Sequence, residues 1–488
     1  MLLVAVLLPA AAGVVALLVR GDAARRALLL LAAAAHAALV GSWWISRPAP
    51  AFDGWIAVDA LGLLVITIAS ALFLVASVYG IGYLARESPG LHRDLFQRGR
   101  VFTNEPEAVF VGALLFFLAA MSLAAVSHHF GLLWVAIEAT TLTSAPLIYF
   151  HRHQRSLEAT WKYLVIGSVG IAVALLGTFF LAASASAVPD GPVVVERMAS
   201  HAASLDQTWL KAAFIAMLVG YGTKVGLAPM HSWLPDAHSE APSLVSALLS
   251  GALLNTAFLG ILRTFEVLEA AGLADFAREL LLLFGFISMG IAAAFIIQQT
   301  DYKRMLAYSS VEHMGIIAIG VGVGGMASFG AMLHAVNHSI VKGMLFLVAG
   351  NILTLYRTKT VTEVGGLLKL APATAVLWVA GFLAITGTPP FGAFLSEFSI
   401  LRGAVDGGHW LVAGAFLALL AAVFVGMASP FLRMAQAPPE ATLEAPRESL
   451  LAVVPPALLG AVALVLGLYV PPGLADVAHE AARALGGA

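Results

Sequence analysis

Residues 214–230 read FIAMLVGYGTKVGLAPM and are followed by the polar segment HSWLPDAHSEAP (231–242) and a second apolar run. Lys224 lies inside the first run. At mid-depth in hydrocarbon a lysine costs about 2.5–3.5 kcal/mol even on lenient scales, so one placed there faces protein, partners another group and marks an ion path. Snorkelling to an interface is the bland alternative. Apolar sequence extends far on both sides of Lys224 and argues against it.

The rest of the chain fits a bilayer. Of 488 residues 60% are hydrophobic and 11% charged, the profile of an integral membrane protein. The formal net charge of −2 offers no basic footprint, so no nucleic-acid partner is expected. With no cysteine there is no disulfide, thiolate metal site or iron–sulfur ligation, so no cofactor is expected and redox chemistry would belong to a partner. The opening segment MLLVAVLLPAAAGVVALLVR lacks a basic leader and runs into more apolar sequence, which predicts a retained span.

A crossing helix needs about 20 apolar residues. By that measure the chain predicts an all-α polytopic protein of about fourteen spans, near 3–19, 26–45, 57–79, 108–127, 130–150, 161–184, 208–228, 242–265, 279–299, 304–324, 328–355, 371–402, 409–433 and 449–470. Arg20, Arg25, Arg26, Arg86, Arg93, Arg98, Arg100, Arg152, Arg155, Lys303 and Arg304 then crowd one set of loops, while the opposite set holds scattered residues such as Arg263 and Arg278. This bias predicts a cytoplasmic (inner) membrane protein with both termini outside. Segment 231–242 is the exception, a cytoplasmic loop without Lys or Arg.

Two spans look broken. The seventh carries Gly220, Gly222, Gly226 and Pro229; the twelfth carries Gly387, Pro389, Pro390 and Gly392 in AITGTPPFGAFLSEF (384–398). Proline removes a donor and unwinds the helix locally, which is tolerable at membrane depth only beside protein or water. Breaks five spans apart, each near an ionisable residue, predict two inverted five-helix repeats, spans 4–8 and 9–13. The expected units are a three-helix segment (1–107), a first repeat (108–270), a second, inverted repeat (271–435) and a C-terminal span with tail (436–488).

The intramembrane polar residues form a row. Glu138, in the fifth span, is a natural partner for Lys224. In the eleventh span His334, His338 and Lys342 follow at four-residue spacing, which stacks them on one helix face about 6 Å apart. Histidine titrates near physiological pH, so this face predicts a proton relay. No carboxylate or third histidine shares the face, and the lysine repels cations, so no metal site is expected. Glu312 and His313 in the tenth span are further contributors; being adjacent, they point to different faces. Glu397 closes the row after the second break.

The motifs KVGLAPMHSWLPDAHSEAP, DYKRMLAYSSVEHMG, HAVNHSIVKGMLF and GTPPFGAFLSEFSILRG resemble the antiporter-like membrane subunits of respiratory complex I, Mrp-type cation/proton antiporters and membrane-bound hydrogenases. Within that superfamily VEHMG and LLSGALLN are most similar to the hydrogenase-4 component F group, which extends to formate hydrogenlyase complexes. The resemblance implies fourteen core helices with inverted repeats and broken helices seven and twelve. It also implies proton translocation coupled to redox chemistry in a peripheral hydrogenase- or dehydrogenase-type arm, with other membrane subunits as partners; the polar row itself suits movement of protons or of sodium. Glu138, Lys224, His334, His338, Lys342 and Glu397 match the family's path residues. Asn255 departs from it, standing where several relatives have a lysine, as does Ser250 where others have a histidine. The residues after the last span are too few for the family's long lateral helix. An Mrp-type antiporter, a substrate carrier and a membrane anchor remain the alternative functions.

Overall fold

The computed structural model describes residues 1–87, 90–93, 101–186, 188, 193–438 and 447–487; Arg98 and Arg100, expected among the basic loop residues, lie outside them. The first part of the chain forms α1 (Leu2–Leu18), α2 (Asp22–Ser42), α3 (Ala60–Arg86), α4 (Glu107–Val126), α5 (Phe130–Ile148) and α6 (Gln154–Ser184). Then come α7 (Gln207–Val225), α8 (Leu234–Glu240), α9 (Ser243–Ala270) and α10 (Ala274–Ile296). The second half comprises α11 (Tyr302–Val323), α12 (Met326–Tyr356), α13 (Pro372–Ile385), α14 (Gly392–Asp406), α15 (Trp410–Gln436), α16 (Leu450–Leu468) and α17 (Pro472–Ala484). A small antiparallel hairpin pairs Leu91–Arg93 with Val101–Thr103. Among the described residues twelve helical stretches are long and apolar enough to cross a membrane, counting Gln207–Glu240 as one. The expected spans near 3–19 and 371–402 correspond to two shorter apolar helices, Leu2–Leu18 and Pro372–Ile385.

Helix starts follow the local sequence. Asp59 accepts from Gly62 N to cap α3, Asp206 from Thr208 N and Trp209 N to cap α7, and Asp301 from Lys303 N and Arg304 N to cap α11. Each carboxylate satisfies donors that the first turn leaves free. Helices α6 and α7 pack backbone to backbone because Gly220 lacks a side chain: a Cβ there would stand 2.5 Å from Ala174 N. Close approach through small residues is how membrane helices associate where lipid supplies no hydrophobic driving force.

Segment 231–242 is not the predicted loop. It forms a 3₁₀ turn (Met230–Trp233) and then α8, so that α7 and α8 are the two halves of one broken helix, hinged at Gly226 with φ +80°. Its lack of basic residues has a physical reason: the neighbours supply them. Asp236 receives Lys162 Nζ at 2.9 Å and Arg304 Nη1 at 2.6 Å, Glu240 pairs with Lys359 at 3.0 Å, and Lys303 Nζ donates to Ala241 O at 2.6 Å. Lys303 is thus buried at the C-terminal end of α8, where a cation meets the negative pole of the helix, and is no loop anchor. Arg263, expected in an external loop, is likewise buried, inside α9, and paired with Asp59 and Glu266.

The second break behaves as predicted. Helix α13 ends at Ile385 and α14 starts at Gly392; Asn337 Nδ2 of α12 donates to Gly392 O, in the first turn of α14, at 2.9 Å. Helix α9, read as an uninterrupted span, contains a π-helical turn at Leu249–Leu253, a distortion that often accompanies functional sites. Helix α17 folds back onto the body, with Glu480 accepting both Arg47 guanidinium bonds at 2.6 and 2.7 Å and His479 stacked on Phe329.

Candidate functional site

Lys224 occupies the last turn of α7, fully buried, where the helix's C-terminal carbonyls favour positive charge. Its Nζ donates to Thr141 Oγ1 of α5 at 2.8 Å and to Tyr163 OH of α6 at 2.5 Å, and it lies 4.3 Å from the Tyr163 ring centroid. Tyr163 OH in turn shares a 2.5 Å hydrogen bond with Ser144. Glu138, the expected partner, makes no direct ion pair with Lys224 among the described residues. It is half-buried and accepts from Ser168 Oγ at 3.3 Å, one carboxylate oxygen being left without a partner.

Past Lys224 the break brings in a residue that sequence reading passed over. Trp233 Nε1 donates to Thr223 O at 2.7 Å, satisfying a carbonyl that the break frees, and its ring lies 5.0 Å from Tyr163 and 6.1 Å from His238. An indole N–H only donates, so Trp233 is a wall and not a relay. His238, on α8, is fully buried with neither ring nitrogen hydrogen-bonded among the described residues. Opposite it on α12, Lys342 donates to Leu306 O at 2.7 Å and to Ser309 Oγ. Asn255 bonds Ser339 Oγ at 2.7 Å, and Ser250, in the π turn, bonds Ser310 Oγ at 2.8 Å. The central helix therefore offers polar but non-titrating groups beside Lys342.

At the far end α11, α12 and α14 converge. His313 Nδ1 and His334 Nε2 are 2.8 Å apart, and His334 Nδ1 is 2.9 Å from Ser396 Oγ. His338 stacks on His313 with ring centroids 5.2 Å apart, and Glu312 Oε2 is 4.0 Å from His313 Nε2. Glu397, one residue beyond Ser396, is buried. Its position depends on Gly387, which adopts φ +62°: a Cβ there would stand 1.9 Å from Glu397 Oε2. His313, His334 and Glu397 each present a ligand-type atom within 4.8 Å of the others. Helices α11 and α14 thus bring to the α12 face the further histidine and the carboxylate that its own spacing does not supply.

Two cavities flank the row. One of about 290 Å³ is lined by Glu87, His92, His151, His153, Glu240 and Lys303 at the C-terminal end of α8. Another of about 460 Å³ lies between the second break and α15, with Glu397 in its wall. Sequence reading missed Thr141, Ser144, Tyr163, Ser168, His238 and Ser396. Only Thr141 left a signal, three residues after Glu138 and so on its helical face.

A model of the family described as NADH:quinone oxidoreductase/Mrp antiporter, transmembrane, matches residues 127–424. A hydrogenase-4 component F homolog of Methylacidiphilum infernorum is 43% identical over 320 residues, 64% of this chain and 66% of its own length. The chain thus spans just under two thirds of that relative. The solved membrane-bound sulfane sulfur reductase, an archaeal respiratory membrane complex, holds a chain superposing with TM-score 0.87 at 19% identity, over 99% of this chain and 97% of that one. A chain of the Mrp complex from Dietzia sp. DQ12-45-1b superposes with TM-score 0.83 at 19% identity, with the same coverage.

Proposed function

Because the chain belongs to the NADH:quinone oxidoreductase/Mrp antiporter transmembrane family, we propose that it is the proton-translocating membrane subunit of a redox-driven complex of hydrogenase-4 or NADH dehydrogenase type. The observation that carries this reading is the row Glu138, Lys224, His238, Lys342, His334 and Glu397, buried apart from the half-buried Glu138, in which Glu138, Lys224, Lys342 and His334 hydrogen-bond to polar groups of other helices. Intramembrane titratable groups in such numbers are costly unless they move ions.

In this reading Lys224 is the centre of the first repeat (108–270) and Lys342 that of the second (271–435). Thr141 and Tyr163 hold the Lys224 ammonium; Leu306 O and Ser309 hold that of Lys342. Both sites keep a charge tolerable without a permanent counter-ion, which leaves Glu138 free to approach or leave Lys224 and so to bias its proton. His238 stands between the two lysines where Trp233 blocks a direct contact, and water bridges the remaining gaps. Glu397 terminates the row, with Gly387 making room for its carboxylate. The partners are other membrane subunits and a peripheral hydrogenase- or dehydrogenase-type arm, and the site is the inner membrane with both termini outside.

The test is proton uptake by proteoliposomes holding the assembled complex. Glu138→Gln removes the bias on Lys224 and lowers uptake during redox turnover. Uptake equal to wild type would sink the reading, and a thermal shift with a small-molecule substrate would favour a carrier.

A further inference from the structure

We propose that His313, His334 and Glu397 form a binding site for a borderline divalent cation of the zinc type, and that occupation of this site arrests the polar row. Three independent observations converge on it. The ligand atoms of the three side chains, drawn from α11, α12 and α14, lie within 4.8 Å of one another and all three residues are buried. Two imidazoles and one carboxylate are the donor set of zinc sites that keep an open coordination position, whereas magnesium and calcium select all-oxygen sites. Glu397 Oε1 is buried without a hydrogen-bond partner among the described residues, so the site holds ligand capacity that the fold leaves unused.

The geometry is close to what such an ion needs. Ligand atoms about 2.0–2.1 Å from a tetrahedral zinc stand roughly 3.4 Å apart. His313 Nδ1 and His334 Nε2, now 2.8 Å apart, would part by about half an ångström, and Glu397, within 4.8 Å of both histidines, would close by at most about 1.4 Å. The outer shell is in place: Ser396 Oγ holds His334 Nδ1 at 2.9 Å, orienting the other nitrogen inward. Entry comes through the 460 Å³ cavity, whose wall includes Glu397, Thr386 and Thr388. Lys342, one turn beyond His338, has its Nζ held by Leu306 O and Ser309 of α11. A bound cation takes one nitrogen lone pair from each imidazole, the proton that now bridges His313 Nδ1 and His334 Nε2 moving to the other nitrogen of its ring, and the relay loses that link.

The experiment is titration of the full-length chain in detergent with Co²⁺, whose visible absorption reports four- or five-coordinate nitrogen and oxygen ligation, followed by displacement with Zn²⁺. The wild type is expected to take up one equivalent with that spectrum. Glu397→Gln and His313→Gln, checked for folding by size exclusion, weaken binding at least 10-fold. His36→Gln, which alters a buried histidine bonded to Ser70 and Ser122, leaves binding unchanged. Absence of the spectrum in the wild type at millimolar cobalt overturns the proposal, as does a spectrum unaffected by Glu397→Gln. The readout is optical and requires no proton movement, so its failure and that of the translocation reading are distinguishable.

Discussion

Gly387→Ala separates the position of the Glu397 carboxylate from every other property of the second break. The new Cβ would stand 1.9 Å from Oε2 and 2.7 Å from Cδ of Glu397, where real Cβ contacts begin at about 3.0 Å, so the carboxylate retreats by more than an ångström. The backbone also carries a penalty, because φ +62° costs an L-residue about 1–2 kcal/mol. Gly408 isolates that second effect: it adopts φ +75°, yet a Cβ there meets nothing within 4 Å. Gly408→Ala therefore bears the strain without touching Glu397. Misplacing a reacting group by about 1 Å can cost on the order of 10²-fold in rate. In proteoliposomes of the assembled complex, Gly387→Ala is expected to lower proton translocation on that order while Gly408→Ala stays near wild type, both with similar losses of thermal stability. Equal translocation by the two variants would refute the assignment of Glu397 to the path.

Three further outcomes follow from named contacts. Tyr163→Phe removes the hydroxyl that Lys224 Nζ meets at 2.5 Å; a hydrogen bond to a charged group contributes about 1.5–3 kcal/mol, so translocation should fall roughly 10- to 100-fold with assembly intact, as read by uptake and blue-native electrophoresis. His238→Gln should also lower uptake, but with little change in melting temperature, since neither ring nitrogen has a hydrogen bond to lose among the described residues. Asp59→Asn weakens the double contact to Arg263 in the C-terminal half of α9. With the Asp59 side chain 29% exposed, the cost is about 1–3 kcal/mol, below that of a fully buried pair. Burial pushes the Asp59 carboxyl up, but Arg263 and His128, with the Gly62 amide, hold it well below the usual carboxylate range. Its stabilisation is thus complete above about pH 4 and is lost as pH falls through the depressed value. Melting curves between pH 3 and 7 should show a shallower acid slope in Asp59→Asn than in the wild type.

What the sequence could reveal depended on the range of the interaction. Lys224 stood out because its apolar surroundings are its own neighbours in sequence, and His334, His338 and Lys342 because helical spacing is local. The breaks at Gly226–Pro229 and Gly387–Pro390 were legible because glycine and proline act on their own backbone. By contrast, Tyr163 and Thr141 reach Lys224 across 61 and 83 residues from two other helices, Tyr163 through the glycine-mediated approach of α6 and α7. His238 was hidden because α8 is seven residues long, too short to show a periodicity, and its polar composition reads as a loop. Segment 231–242 passes for a cytoplasmic loop for the same reason: its charges are matched by cations from α6, α11 and the segment after α12. The cluster of His313, His334 and Glu397 was invisible to helix-by-helix facing, because its three members meet from three different helices.

The central claim, that this chain moves protons through the buried row, is tested most directly by the ratio of protons translocated to electrons transferred in proteoliposomes of the complete complex carrying Lys224→Ala. Measuring both quantities on the same sample removes the effect of slower turnover. If the row carries the protons, the ratio is lower in the variant while electron transfer continues. A wild-type ratio in Lys224→Ala would contradict that claim.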